Sequence, residues 1–131
     1  MTVVVDASVV LDLLLRGQSE EALRARLSTA LGHVAAPHLI DLEVAQVLRR
    51  FVLRGELAPA RARTALEDFR ALPLDRYAHG PLLERAFELR SNFTAYDAAY
   101  VALAESLEAS LITRDEKLAS AAGRIVEVER V

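Results

Sequence analysis

The chain has 131 residues, 53% of them hydrophobic, with a formal net charge of −3 and no cysteine. This length and hydrophobicity predict one folded domain over residues 1–131 and exclude a disordered chain. The absence of thiols excludes disulfides and thiolate zinc sites. The mild acidity argues against simple coating of DNA phosphates, although a metal ion could reverse the local sign in a nuclease.

The β-branched run Thr2–Val5 predicts a first strand and Val9–Leu15 a helix ending near Gly17. Ser19-Glu20-Glu21 opens a second helix that runs to about Leu31 and stops at Gly32. His33–Ala36 reads as a short strand closed by Pro37. Leu39–Arg54 reads as a long helix with Gly55 past its end. Pro59 starts a helix through about Arg70, and Leu72–Asp75 is a weak strand. Helices follow over Pro81–Arg90 and Ala95–Leu107, then a strand over Ser110–Thr113. A short helix, Glu116–Ala122, and a last strand, Ile125–Val128, complete the pattern. No basic segment precedes an apolar leader. The most apolar stretches are broken by Asp12, Asp97 or Glu105, short of the ~20 residues that span a bilayer. A soluble, cytoplasmic protein is expected.

Strand–helix alternation predicts an α/β fold with a parallel sheet covered by helices on both faces. In such sheets the functional crevice lies outside the carboxyl ends of the strands. Asp6 and Asp115 fall there.

The acids divide by whether they have a local partner. Asp12 has Arg16 four residues on. Glu20 and Glu21 favour the dipole of a helix first turn. Glu67 and Asp68 lie among Arg61, Arg63 and Arg70. Glu43 has no such partner, since its helical neighbours are Leu39, Ile40, Gln46 and Val47; its ordinary reading is a helix-edge acid paired through a tertiary contact. Asp97 lies in a helix apolar nearly all round, where a lone buried carboxylate costs several kcal/mol. Its alternative is a capping box with Thr94. Asp6 and Asp115 have N-capping as their alternative. If Asp6, Glu43, Asp97 and Asp115 meet, each pair of charges ~4 Å apart costs about 4 kcal/mol at an effective dielectric of 20. Oxygen donors alone suit Mg²⁺ or Mn²⁺.

At these residues the chain resembles the PIN-domain ribonucleases, and within them the VapC-type toxins of toxin–antitoxin pairs. The stretches carrying the resemblance are Val-Val-Asp6-Ala-Ser8, Pro37 to Arg50, Tyr96-Asp97 to Ala104 and Leu111 to Leu118. The resemblance implies a three-layer α/β/α sandwich with a parallel sheet, and metal-dependent hydrolysis of RNA by one or two Mg²⁺ ions. Residue by residue it implies an acidic quartet of Asp6, Glu43, Asp97 and Asp115, with Asp6 and Asp97 as main direct ligands. Ser8 and Thr113 would be supporting hydroxyls. It also implies a homodimer and a small antitoxin whose C-terminal segment blocks the site. Arg16, Arg49, Arg50 and Arg54 are candidates for gripping RNA. His33, His38 and His79 are expected to be capping or surface residues. Two rival readings remain. One is an aspartyl-phosphate enzyme, against which Ser8 stands where Asp-x-Asp chemistry needs its second acid. The other is a noncatalytic PIN-like binding module.

Overall fold

A computed structural model describes residues 2–15, 20–28 and 33–131. Its elements alternate along the chain: β1 (Val3–Val5), α1 (Ala7–Leu14), α2 (Glu20–Ser28), β2 (Val34–Pro37), α3 (Ile40–Leu53), α4 (Pro59–Ala71), β3 (Leu74–Tyr77), α5 (Leu83–Glu88), α6 (Ala95–Ser106), β4 (Ser110–Thr113), α7 (Glu116–Ala122) and β5 (Val128–Arg130). The strands form one parallel sheet in the order β3-β2-β1-β4-β5. Helices cover both faces, giving the α/β/α sandwich expected from the alternation.

The central strand is buried throughout, which is why it reads as Val-Val-Val rather than as an alternating pattern. Its register sets Val4 beside Ala35 on one side and Leu111 on the other. The edge strand β3 alternates half-buried and exposed residues. Helix α6 packs against β1, β2 and β4 and buries every residue from Ala98 to Ala104; its alanines let it lie close to the sheet.

From β1 the chain winds outward to β2 and β3, then crosses to β4 and β5 on the other side. The sheet therefore changes direction between β1 and β4, and a crevice opens beyond their carboxyl ends. Asp6 follows β1 directly, Thr113 ends β4, and Asp115 caps the helix after it.

Several boundaries differ from the sequence reading. Helix α1 begins at Ala7 because Asp6 caps it. The strand expected over Leu72–Asp75 lies at Leu74–Tyr77, since Leu72 still closes α4 and Pro73 lacks an N–H. The segment Pro81–Arg90 divides into a 3-10 turn, Gly80–Leu82, and the short α5. The last strand is Val128–Arg130, because the amides of Ile125 and Val126 both donate to the Ala122 carbonyl and close α7. Leu31, Gly32 and Arg16 lie outside the described residues. Among the described residues no helix is long and apolar enough to cross a membrane.

Helices α3 and α6 end in the same way. After α3, Gly55 adopts φ 75° and its N–H donates to the Val52 carbonyl, while Glu56 donates to Phe51. After α6, Glu108 adopts φ 52°, its N–H donates to Glu105, and Ala109 donates to Ala104. This is a Schellman motif, in which the left-handed residue is ordinarily glycine. Glu108 is exposed and holds that conformation with a side chain that disfavours it. Glu108→Gly is expected to stabilise the fold by about 0.5–1 kcal/mol, read as a Tm higher by a few degrees. Glu108→Ala should show no gain; an equal rise in both variants would remove the conformational explanation.

Candidate active site

Asp6 sits on the floor of the crevice, 6% exposed. Its Oδ1 accepts from the Ser8 hydroxyl at 2.6 Å and from the Val9 amide at 3.2 Å, the latter being the N-cap of α1. Its Oδ2 accepts from the hydroxyl of Thr113, which is fully buried. Ser8 in turn accepts from the Arg114 amide at 3.0 Å, and Thr113 from the Asp115 amide at 2.9 Å. Two hydroxyls thus fasten β1, α1 and the segment after β4 around one carboxylate.

Asp115 caps α7 with Oδ1, which accepts from Lys117 at 2.9 Å and Leu118 at 3.1 Å. Capping is therefore part of its role, as for Asp6. Asp97 behaves differently. Thr94 caps α6 by accepting from the Asp97 backbone amide at 3.1 Å. The Asp97 carboxylate takes no part in that cap, so the half of the capping box that would have explained its charge is missing. Glu43, in the first turn of α3, accepts at Oε1 from the Tyr100 hydroxyl at 2.6 Å. Its tertiary partner is a phenol, with no compensating positive charge.

Tyr100 was not singled out by sequence as a site residue. It is the aromatic one turn after Asp97 on the alanine-rich α6, and it is 2% exposed. The available signal was chemical: a buried tyrosine needs a partner for its hydroxyl.

Among the described residues, the ion pairs engage other acids: Glu20, Asp12, Asp41, Glu88, Glu105, Glu116 and Glu129. None neutralises a member of the quartet. Burial pushes the Asp6 carboxyl above the ordinary aspartate range. Its hydroxyl and amide donors pull it back, and Asp115 adds a smaller upward push. Burial likewise raises Glu43; Tyr100 opposes this, while Asp97 and Asp6 reinforce it. Asp97 is raised by burial and then by Asp115 and Asp6. Tyr100 is pushed far up by burial and by accepting neighbours, so its hydroxyl stays a donor. The four acids lie within electrostatic reach of one another. An all-oxygen set of uncompensated carboxylates fits a hard divalent cation. Among the described residues no group of three or more His, Cys, Asp or Glu stands as a ready-made metal cluster.

Asp12 meets Arg114 at 2.8 Å across the crevice wall; its expected partner Arg16 is outside the described residues. Arg49 and Arg50 are both exposed on α3, but they do different things. Arg50 follows Glu43 by seven residues and returns to nearly the same helix face, about 10 Å along the axis. Arg49 instead lines a groove between α3 and α4 with Leu48, Val52 and Leu66. His79 accepts from the Leu39 amide at 2.8 Å before α3, the capping role expected of it. His33 and His38 are exposed.

Residues 3–124 match the PIN domain family. The protein is similar to Ribonuclease VapC1 of Mycobacterium tuberculosis, with 45% identity over 130 residues covering 98% of this chain and 96% of that protein. It is 44% identical over 117 residues to Ribonuclease VapC9 of the same organism, covering 88% and 87%. The crystal structure of VapBC2 from Rickettsia felis, bound to a promoter DNA fragment, superposes with a TM-score of 0.75 at 13% identity, covering 100% of this chain and 99% of that one. The last likeness concerns the fold. A nearly full-length family match joined to relatives this similar along the whole chain leads to one conclusion: the chain belongs to the PIN-domain family, among its VapC-type ribonucleases.

Proposed function

We infer that this protein is a divalent-metal-dependent endoribonuclease, formed by one nuclease domain over residues 1–131 and acting in the cytoplasm as the toxin of a toxin–antitoxin pair. The observation that carries the chemistry is the uncompensated quartet Asp6, Glu43, Asp97 and Asp115 at the switch point of the sheet. Ribonuclease activity in the VapC relatives supports RNA as substrate. The VapBC2 assembly supports a protein partner of the antitoxin kind; a homodimer belongs to the same reading.

Asp6 and Asp97 would be the direct ligands of Mg²⁺ or Mn²⁺, with Glu43 and Asp115 acting through water. When bound, the cation supplies Lewis acidity to the scissile phosphodiester and to the attacking water. Ser8 and Thr113 hold Asp6 in one orientation. Asp97 brings a carboxylate not consumed by capping. Glu43 and Asp115 orient the nucleophile from opposite sides of the crevice, one on α3 and one at α7. Arg50, on the Glu43 face, is placed to meet a phosphate of the RNA strand; Arg49, turned toward α4, has the weaker case. The aspartyl-phosphate reading lacks its second acid, since Ser8 stands where Asp-x-Asp chemistry needs it.

Wild-type protein is expected to cleave RNA with Mg²⁺ or Mn²⁺ and to stop when EDTA is added. Asp97→Asn should lower the rate about 100-fold or more, matching the loss of ~3 kcal/mol of charge stabilisation. Equal cleavage by the two proteins would overturn the assignment of Asp97, and no cleavage across varied RNAs would overturn the activity.

The raised carboxyls also set a stability trend. Burial and mutual repulsion make Asp6, Glu43 and Asp97 take up protons more readily in the folded protein than in the unfolded chain. Their contribution is therefore fully present below the unfolded carboxylate range of about 4 and is lost as pH rises through the folded values. Tm of the metal-free protein should fall as pH rises above the ordinary carboxylate range of about 4, less steeply in Asp97→Asn. Mn²⁺ should raise Tm more at about pH 8 than at about pH 5. A melting scan in which Mn²⁺ stabilises both pH values equally would show that these carboxyls do not take up the cation.

A further inference from the structure

Tyr100 belongs to no acidic or basic motif, yet its placement is too specific for a filler of the core. It is 2% exposed, within the run Ala98–Ala104 of α6 that is buried throughout. Its hydroxyl leaves that apolar surround and crosses to Glu43 on α3, 57 residues away in sequence, at 2.6 Å. A phenol that only filled space could be a phenylalanine. A tyrosine here removes an otherwise unsatisfied buried hydroxyl by giving it to a carboxylate, and charge-assisted bonds of this length are strong.

The consequence falls on Glu43. Glutamate has three rotatable side-chain bonds and loses substantial rotamer entropy when fixed. No ion pair restrains Glu43 among the described residues, and its neighbours along α3 are mostly apolar. The hydroxyl of Tyr100 is its side-chain hydrogen-bond partner, and it engages Oε1 alone. Oε2 takes no part in that bond. Because Tyr100 and Asp97 are one turn apart on the same helix, the bond also fixes Glu43 relative to Asp97. We propose that Tyr100 is a positioning residue, which pre-orients Glu43 and so sets the geometry between the α3 and α6 carboxylates. This rests on the reading of the quartet as a divalent-cation site for RNA hydrolysis.

The role is testable by a double-mutant cycle, because a residue that acts only through Glu43 loses its effect when Glu43 is already disabled. Tyr100→Phe keeps the ring and removes the hydroxyl. It is expected to lower kcat about 10–100-fold, the usual cost of losing a partner that orients a ligand, with KM for RNA nearly unchanged. Calorimetric affinity for Mn²⁺ in the absence of RNA should fall about tenfold. The double variant Tyr100→Phe/Glu43→Gln should be no slower than Glu43→Gln alone. Losses that multiply, or a Tyr100→Phe protein with wild-type kcat and Mn²⁺ affinity, would overturn the proposal.

A measurement on the unaltered protein covers the case in which Tyr100→Phe folds poorly. There is no tryptophan, and Tyr77 and Tyr96 are exposed. The buried tyrosine band in near-ultraviolet difference spectra is therefore expected to shift saturably as Mn²⁺ is added, and the shift should be absent in Glu43→Gln. No shift on Mn²⁺ binding would count against Tyr100 as a positioning residue. Should wild type bind Mn²⁺ with this shift and cleave no RNA, the nuclease reading fails and the positioning role stands.

Discussion

The structure depends on a carboxylate held where a parallel sheet reverses direction. Asp6 sits at the carboxyl end of the central strand and is buried there. A lone ion in that place would be costly, and three kinds of donor offset the cost: a neighbouring hydroxyl, a helix amide and a hydroxyl from the adjacent strand. These bonds do not cancel the charge. They distribute it over elements that also carry Asp115 and, through the packed α6, Asp97. The crevice therefore holds buried carboxylates that no ion pair among the described residues neutralises.

Two of the acids of the proposed site also serve the fold. Asp6 caps α1 and Asp115 caps α7, so capping and site chemistry are compatible at both positions. The geometry allows this because a carboxylate has two oxygens. At Asp115 one oxygen satisfies the helix amides and the other needs no helix partner. Asp97 separates the alternatives instead: the threonine before it caps the helix, freeing the carboxylate from any local purpose. Glu43 is held by neither route and depends on a contact between two helices far apart in sequence.

This explains how much was legible in the sequence. The α/β alternation, the buried Val3–Val5 strand and the all-apolar α6 follow from periodicity, because burial on both sides leaves a continuous apolar run. The four acids stood out because no cation lay within local reach of the helical pair, Glu43 and Asp97, and because the other two fell at the carboxyl ends of strands, although capping offered a local reading for Asp6, Asp97 and Asp115. What failed were features decided by backbone hydrogen bonds at element ends. Ile125 and Val126 look like strand by propensity, yet their amides are spent on closing α7, and the ladder starts only at Val128. Tyr100 and the Asp12–Arg114 pair were illegible for another reason. Both join residues separated by dozens of positions, and helical spacing brings no pattern to such contacts.

Arg49 and Arg50 show how a single residue of helical rotation gives adjacent side chains different surroundings. Sequence places two adjacent arginines on α3 with equal claims on RNA. A step of 100° turns Arg49 into the groove beside α4, against Leu48, Val52 and Leu66, where its aliphatic stem covers apolar surface. Arg50 rides the stripe that begins at Glu43, and that stripe is fixed by Tyr100 at its other end. A phosphate bound by the quartet would thus lie at the head of a ridge whose next charge is positive and about two turns away. The orientation of α3, set by the burial of Ile40, Val44 and Leu48, decides which arginine that is.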